Sequence, residues 1–188
     1  MNSELSARQG LPDALRALVE AYPRDVWLAP SPFQNLISFW MEKHMSFRRL
    51  LTVLEKETQT ALDGADARRY RQALARYGGM FVNDLHGHHQ IEDAHYFPVL
   101  ENIDPIFAKG LRILDADHHA LDHILNDFVA AANEVLQQTD QGPEYKDGLG
   151  RLHTLLERSG PMLVRHFDDE EDLVVPVLLK HEPEALKF

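Results

Sequence analysis

Two short segments of the chain carry histidine and glutamate at the same spacing, 78 residues apart. The first begins at His88 and has the sequence HHQIEDAHYFPVL; the second begins at His166 and has the sequence HFDDEEDLVVPVL. In each segment a glutamate, Glu92 or Glu170, follows the histidine by four positions. Residues four apart lie on one face of an α-helix, one turn from each other. Each pair can therefore bind one metal ion, or its glutamate can reach across to a second ion.

Two further histidines, His44 and His118, lie in segments that also resemble each other. Aligning the two histidines places Phe47 on Leu121 and continues the apolar pattern along both segments. The order along the chain is therefore His, His-x3-Glu, His, His-x3-Glu. An internal repeat of this kind is typical of two helical hairpins packed in one bundle.

Four long stretches have apolar residues at helical spacing, which predicts four α-helices. We expect them at about residues 33–60, 65–98, 105–138 and 144–175, after a shorter helix near residues 12–21. No alternating strand pattern competes with them. The predicted fold class is all-α, an up-down-up-down antiparallel four-helix bundle. A short N-terminal helical arm is expected over residues 1–30 and the bundle over residues 31–188.

Composition narrows the class of protein. The chain has 188 residues, 44% of them hydrophobic and 26% charged, which is typical of one soluble globular domain. The net charge of −11 argues against nucleic-acid binding, because phosphates would be repelled. The first ten residues lack the apolar core of a signal peptide and no run approaches membrane-spanning length, so we expect a cytoplasmic protein without a membrane partner. The sequence does not predict its oligomeric state.

Six polar residues occupy positions of the helical stripes that should be apolar. They are His44, His88, Glu92, His118, His166 and Glu170. A single core histidine is more often just hydrogen-bonded than a ligand. A buried carboxylate without a partner is costly, however, and six such residues in a two-fold repeat on four helices predict a shared metal site.

The chemistry of these donors indicates the metal. The chain has no cysteine, so nitrogen and carboxylate donors remain, which suit iron, manganese or zinc. Zinc alone would be satisfied by about four ligands. Two carboxylates on facing helices can bridge two ions, and six side chains around two octahedral ions leave positions for water or a small ligand. We therefore predict a non-haem di-iron centre in preference to manganese or zinc.

Other histidines and acids leave alternatives open. His119 and His123 form a His-x3-His pair on the third helix, but His118 is preferred because it alone lies on the apolar stripe. His86, His89 and His95 cluster on the second helix, where a solvated or supporting role is preferred to metal ligation.

The acidic run over residues 168–172 is expected to be a solvated helix face, with Glu170 as the exception. Asp93 and Glu171 either orient ligand imidazoles or serve solubility at the surface.

The joint pattern resembles the hemerythrin-like, HHE cation-binding family over about residues 33–180. The motifs that carry this resemblance are H…H-x3-E…H…H-x3-E and the FPVL and VPVL segments after the ligands. The resemblance implies an oxo- or hydroxo-bridged pair of iron ions in a four-helix bundle. Family roles include reversible O2 binding, redox sensing, NO or peroxide handling, and repair of iron–sulfur clusters.

Two departures separate the chain from the oxygen-carrying members. Carriers have another histidine one turn before the third-helix ligand, where this chain has Leu114. Their last ligand is an aspartate five residues after its histidine, whereas Glu170 follows His166 by four. Both features are similar to bacterial members with four histidines and two glutamates, and they argue against simple O2 carriage.

The predicted function is a di-iron protein that binds O2, NO or peroxide at an open coordination position, for binding, sensing or reduction. The alternative is a non-enzymatic iron-binding or sensor module that acts through a protein partner. The sequence alone leaves open whether the protein is an enzyme.

Overall fold

The structure is a computed structural model that describes residues 4–103, 105–138 and 141–186. It is 84% helical, and the described ranges contain no strand. The prediction of an all-α fold is therefore confirmed. Within the described ranges, no helix is both long and apolar enough to cross a membrane.

The helices are numbered α1 to α7 in chain order. The arm contains α1 and a 3-10 turn at Arg24–Val26. Single π-helical turns at Leu74–Gly78 and Glu92–Tyr96 join α3, α4 and α5 into one helical stretch. The helix bounds are α1 (Asp13–Ala21), α2 (Gln34–Leu62), α3 (Ala67–Ala73), α4 (Gly79–Ile91), α5 (Phe97–Glu101), α6 (Pro105–Gln137) and α7 (Pro143–His181).

The four predicted long helices correspond to α2, the α3–α5 stretch, α6 and α7. The main difference is at α7, which continues to His181 although the proline at 176 was expected to end it near residue 175. A proline inside a helix removes one backbone hydrogen bond. Val174, Val175, Val177 and Leu178 are all buried around that proline, and their packing offsets the loss. The turn expected around residues 139–143 lies partly outside the described residues, because Thr139 and Asp140 are not described.

The chain divides into two compact units, and every residue of the predicted metal site belongs to the first, which comprises Met1–Met45, His88–Ala120 and Val164–Phe188. Its core combines Leu11, Leu15 and Trp27 from the arm with apolar side chains of the long helices. At Gly110, a Cβ atom would lie 2.6 Å from the Leu173 side chain, so glycine lets α6 approach α7 closely.

Contacts in this unit define how its helices run. Trp40 contacts Glu92 while His44, one turn later on α2, contacts His88, so α2 and α4 run antiparallel. Gly110 faces Leu173 and Asp117 faces His166, so α6 and α7 are also antiparallel.

The second unit comprises Ser46–Gly87 and Leu121–Leu163. Its interior includes an edge-to-face contact between Phe81 and Phe128, with ring centroids 5.9 Å apart. Thr58 and Tyr70 share a buried hydrogen bond of 2.9 Å.

Candidate metal centre

Four of the six predicted ligands form a first group of donors. His44 of α2, His88 of α4, Glu92 of the π turn and Glu170 of α7 each offer a ligand atom, and these atoms all lie within 4.8 Å of one another. The Nε2 atoms of His44 and His88 are 3.0 Å apart. His88 Nε2 is also 3.0 Å from Glu92 Oε1. This group, which we call group 1, can hold one metal ion.

The other two predicted histidines, His118 and His166, belong to a second group together with His89. Their ligand atoms also lie within 4.8 Å of one another, and all three residues are buried. The rings of His89 and His118 stack with centroids 4.1 Å apart. These three imidazoles, which we call group 2, can hold a second ion.

The two carboxylates of group 1 also reach the imidazoles of group 2. Glu92 has Oε1 beside His88 of group 1 and Oε2 3.7 Å from His118 Nε2 of group 2. Glu170 Oε2 is 3.5 Å from His44 Nε2 and 3.6 Å from His166 Nε2. Each carboxylate thus contacts one imidazole of each group, which is the placement that a bridge between two ions needs.

Several of the donor atoms have no hydrogen-bond partner among the described residues and are therefore available to bind a metal ion. Buried side-chain atoms without a hydrogen-bond partner include both ring nitrogens of His89, Nε2 of His118 and His166, Oε2 of Glu92, and both carboxylate oxygens of Glu170. Buried polar atoms are normally paired, because leaving them unpaired costs free energy. Their convergence on one interior region indicates that cations complete their coordination.

His89 was not predicted as a ligand. Its neighbour His88 lies on the apolar stripe, and successive residues of a helix point about 100° apart, so periodicity places His89 beside the stripe. The repeat gave no signal either, because Phe167 occupies the equivalent position after His166. His89 is only 2% exposed, so the expectation of a solvated side chain is wrong. The signal available in the sequence was the adjacent histidine pair itself.

The remaining alternative histidines lie away from both groups. His86, His95, His119 and His123 are exposed, whereas His118 is 2% exposed. His118 also has its Nδ1 atom 2.8 Å from the Asp93 carboxylate. The structure therefore places the preferred histidine of the third helix, and neither of its two rivals, among the donors.

In three of the imidazoles a carboxylate contacts Nδ1, the ring nitrogen that faces away from the donor groups. His118 Nδ1 faces Asp93, His44 Nδ1 is 3.0 Å from Glu171 Oε1, and His166 Nδ1 is 3.4 Å from Asp117 Oδ2. A carboxylate that accepts the Nδ1 proton fixes the tautomer and leaves Nε2 free as a metal donor. In all three rings Nε2 is the atom that faces the donor groups.

The acidic run was expected to be a solvated face apart from Glu170, and that expectation is wrong for Asp169 and Glu171. Asp169 is 0% exposed and Glu171 is 4% exposed. The error arose because two arginines from a distant part of the chain, Arg8 and Arg24, help to neutralise these charges. Glu171 contacts His44 and Arg24, while Asp169 contacts Arg8 and Arg165.

The two central carboxyl groups hold protons very differently in the absence of a cation. Burial raises the pKa of Glu92 well above its ordinary value, and repulsion from Glu170 raises it further. Burial also acts to raise the pKa of Glu170, but His44, His88 and His166 oppose it and lower that pKa to about 2. The pair therefore takes its first proton on Glu92. Trp40 Nε1 donates a hydrogen bond to the same carboxyl group at Oε1.

Burial favours the neutral form of three imidazoles by lowering the pKa of His88, His89 and His166. Burial lowers the pKa of His88 to about 3 and that of His89 well below the ordinary value. Burial also lowers the pKa of His166, although Asp117 partly opposes this effect. Neutral imidazole is the form that binds metal.

An all-α fold with a buried set of histidine and glutamate donors defines the class as a cation-binding helical bundle. Comparison with protein families agrees, because the family described as hemerythrin HHE cation-binding domain matches residues 35–178. The chain belongs to this family. No curated protein and no solved structure matches the chain significantly.

We expect Asp93→Asn to weaken iron binding about 10- to 100-fold, because an outer carboxylate that orients a ligand imidazole typically has this effect. The exposed Asp115 offers a matched control, since Asp115→Asn removes the same charge from the surface. Competition with a chromophoric chelator measures both affinities. Equal affinities for the two variants would show that Asp93 does not orient His118.

Proposed function

We propose that the protein is a non-haem di-iron protein in which Glu92 and Glu170 bridge two ions. Group 1 supplies His44 and His88 to one ion, and group 2 supplies His89, His118 and His166 to the other. The observation that supports the proposal most strongly is that each carboxylate contacts one imidazole of each group. Carboxylate bridges inside a helical bundle are a common way of building a dinuclear site.

The unequal number of imidazoles indicates where a small ligand binds. Group 1 offers two imidazoles and group 2 offers three, while each of the two carboxylates contacts one imidazole of each group. An ion held by group 1 would therefore have one fewer protein donor. Side-chain exposure agrees, since His88 is 10% exposed whereas His44 of the same group is 1% exposed. We propose that O2, NO or peroxide enters beside His88 and binds on the group 1 side.

Two iron ions held in this way would supply a redox couple and an open coordination position. The protein contributes the charge and the order of the site. Glu92 and Glu170 would supply negative charge to both ions, and Trp40 holds the Glu92 carboxyl group through its indole N–H. Asp93, Asp117 and Glu171 hold the imidazole tautomers. The deep burial of the donors restricts access to small ligands.

Metal content tests the proposal directly. Protein made in iron-replete cells should contain about two irons per chain and absorb in the near ultraviolet, because dinuclear carboxylate sites in bundles bind two ions. Elemental analysis and optical spectra measure both properties. One zinc per chain, or no metal after anaerobic iron loading, would refute the di-iron proposal.

Ligand reactions then separate the possible roles. The diferrous protein is mixed in a stopped-flow instrument with O2, NO and hydrogen peroxide in turn. Catalytic turnover of NO or peroxide would identify an enzyme. Stable, reversible adducts would instead identify a binding or sensor module that acts through a protein partner.

A further inference from the structure

An arginine of the N-terminal arm is buried beside group 2. Arg8 is buried and pairs with Asp117 through both terminal nitrogens, with Nη1 donating to Oδ1 at 3.1 Å. Its Nε donates to Asp169 Oδ2 at 2.8 Å. Asp117 in turn lies against Nδ1 of His166. The guanidinium is therefore connected to a group 2 imidazole through one carboxylate.

A second arginine of the arm is connected to group 1 in the same way. Arg24 Nη1 donates to Glu171 Oε2 at 2.8 Å, and the other oxygen of Glu171 contacts His44 Nδ1. Arg24 also pairs with Asp172 at 2.7 Å. Its side chain is 45% exposed, in contrast to 3% for Arg8.

Each half of the site thus receives one arginine from the arm, through one carboxylate that contacts a candidate ligand. Both arginines precede residue 35, where the match to the family begins, so they lie outside the matched domain. The arm is nevertheless part of the same core, because Leu11, Leu15 and Trp27 pack with the helices that carry the site. Its position at the site is therefore fixed by packing as well as by charge.

We propose that Arg8 and Arg24 are positioning residues that raise the reduction potential of the metal centre, Arg8 acting on group 2 and Arg24 on group 1. The inference rests on the proposed di-iron function. It adds a role for a segment that the family match does not include.

Electrostatics gives the direction of the effect. A carboxylate that accepts an imidazole N–H makes the opposite nitrogen a stronger donor and so stabilises the more highly charged, oxidised ion. An arginine paired with that carboxylate opposes this effect, and its positive charge also disfavours the oxidised state directly. Removing the arginine should therefore lower the reduction potential. Arg8 should matter more than Arg24, because its charge interacts across a buried region with little solvent screening.

The test compares Arg8→Gln and Arg24→Gln with Arg16→Gln, since Arg16 is an exposed arginine of α1. We expect Arg8→Gln to shift the oxidised-to-reduced ratio at fixed potential about tenfold toward the oxidised form, which is about 59 mV for a one-electron step. Arg24→Gln should shift it in the same direction by a smaller factor, and Arg16→Gln should leave it unchanged. Spectroelectrochemical titration of the iron-loaded protein measures the three ratios.

Mössbauer spectra of the iron-loaded variants locate the effect. The two ions have different sets of imidazoles and should give separate signals. Arg8→Gln should alter mainly one signal and Arg24→Gln mainly the other, whereas a general loosening of the fold would alter both in each variant. Arg8→Lys keeps the positive charge and should recover most of the shift seen in Arg8→Gln.

The outcomes separate this inference from the function on which it rests. If the wild-type protein binds two irons but Arg24→Gln has the potential and spectrum of Arg16→Gln, the positioning role is refuted and the di-iron function stands. Arg24 is partly exposed, so this variant remains a fair test even if Arg8→Gln does not fold. An equal potential shift in Arg8→Lys and Arg8→Gln would also refute it, because charge would not be the cause. A wild-type protein that binds no iron refutes the function itself.

Discussion

Replacing His118 with alanine is expected to reduce the iron content from about two ions per chain to one or none. His118 Nε2 is one of the three imidazole donors that the described residues offer to the group 2 ion, and it lies 3.7 Å from the proposed bridging oxygen of Glu92. Removing His118 therefore weakens the binding of the group 2 ion directly and the bridging contact of Glu92 indirectly. Iron content per chain, measured after anaerobic loading and desalting, records the loss.

The two neighbouring histidines are the matched controls for this experiment. His119 and His123 are exposed on the same helix, so His119→Ala and His123→Ala should each keep both irons. If His123→Ala empties the site and His118→Ala does not, the ligand of the third helix has been assigned to the wrong residue.

The same measurement extends to His89, which the structure adds to the donor set. His89→Ala should also lose iron, because both of its buried ring nitrogens otherwise lack a partner. His86→Ala removes an exposed histidine three positions earlier and should have no effect. Full iron content in His89→Ala would show that group 2 supplies two imidazoles, the same number as group 1. The proposed binding of the small ligand on the group 1 side would then lose its basis.

The helices could be predicted well because their signals are local. Apolar side chains at helical spacing predicted α2, the α3–α5 stretch, α6 and α7 to within a few residues, except at the end of α7. The π turn at Glu92–Tyr96 was not predicted, since a single wide turn changes the periodicity too little to be visible in the sequence.

The donors of the site could be predicted only where they lie on an apolar stripe. The six predicted residues are brought together because the periodicity that builds the core also directs polar exceptions into it. His89 falls beside its stripe and lacks a counterpart in the repeat. Its burial therefore depends on the packing of other helices, which periodicity within one helix does not describe.

The residues that surround the donors were not predictable for a different reason. Arg8 contacts Asp117 and Asp169, which are 109 and 161 positions away in sequence. Pairs at such separations leave no local pattern. An acidic run that looks solvated can therefore be buried when cations from another segment neutralise it, as Arg8 and Arg24 do here.

The second large effect that we expect is on stability, since removing iron should lower the melting temperature substantially. Ligand binding to the native state stabilises it by about 4 kcal/mol when the free ion is at 1,000 times its dissociation constant. For a protein of this size, that corresponds to a shift of roughly 8–16 °C. The apolar stripes should keep the apo protein mostly helical below its own transition.

The pH dependence of this difference follows from the pKa shifts. The raised pKa of Glu92 means that the folded apo protein retains a proton there, which the metal must displace. Metal affinity should therefore fall by about tenfold per pH unit below that pKa, as one proton competes for the site. His88 and His89 behave in the opposite way, because burial lowers their pKa values, to about 3 for His88. They stay neutral in the folded protein and do not compete with the metal until the pH approaches that value.

The directions of these pKa shifts also predict how the stability of the apo protein changes with pH. Histidines with lowered pKa stabilise the fold above their ordinary value near 6.5, and this contribution is lost as the pH falls toward 3. Glu92, with a raised pKa, stabilises the fold below its ordinary value near 4.5 and destabilises it as the pH rises through the raised pKa. Iron binding removes the destabilisation caused by ionised Glu92, because the cation neutralises the carboxylate.

The difference in melting temperature between iron-loaded and apo protein should therefore be largest at neutral pH and should shrink as the pH falls. Calorimetric scans at matched ionic strength measure this difference. Identical melting temperatures at neutral pH would show that these side chains are not the ligands of the metal.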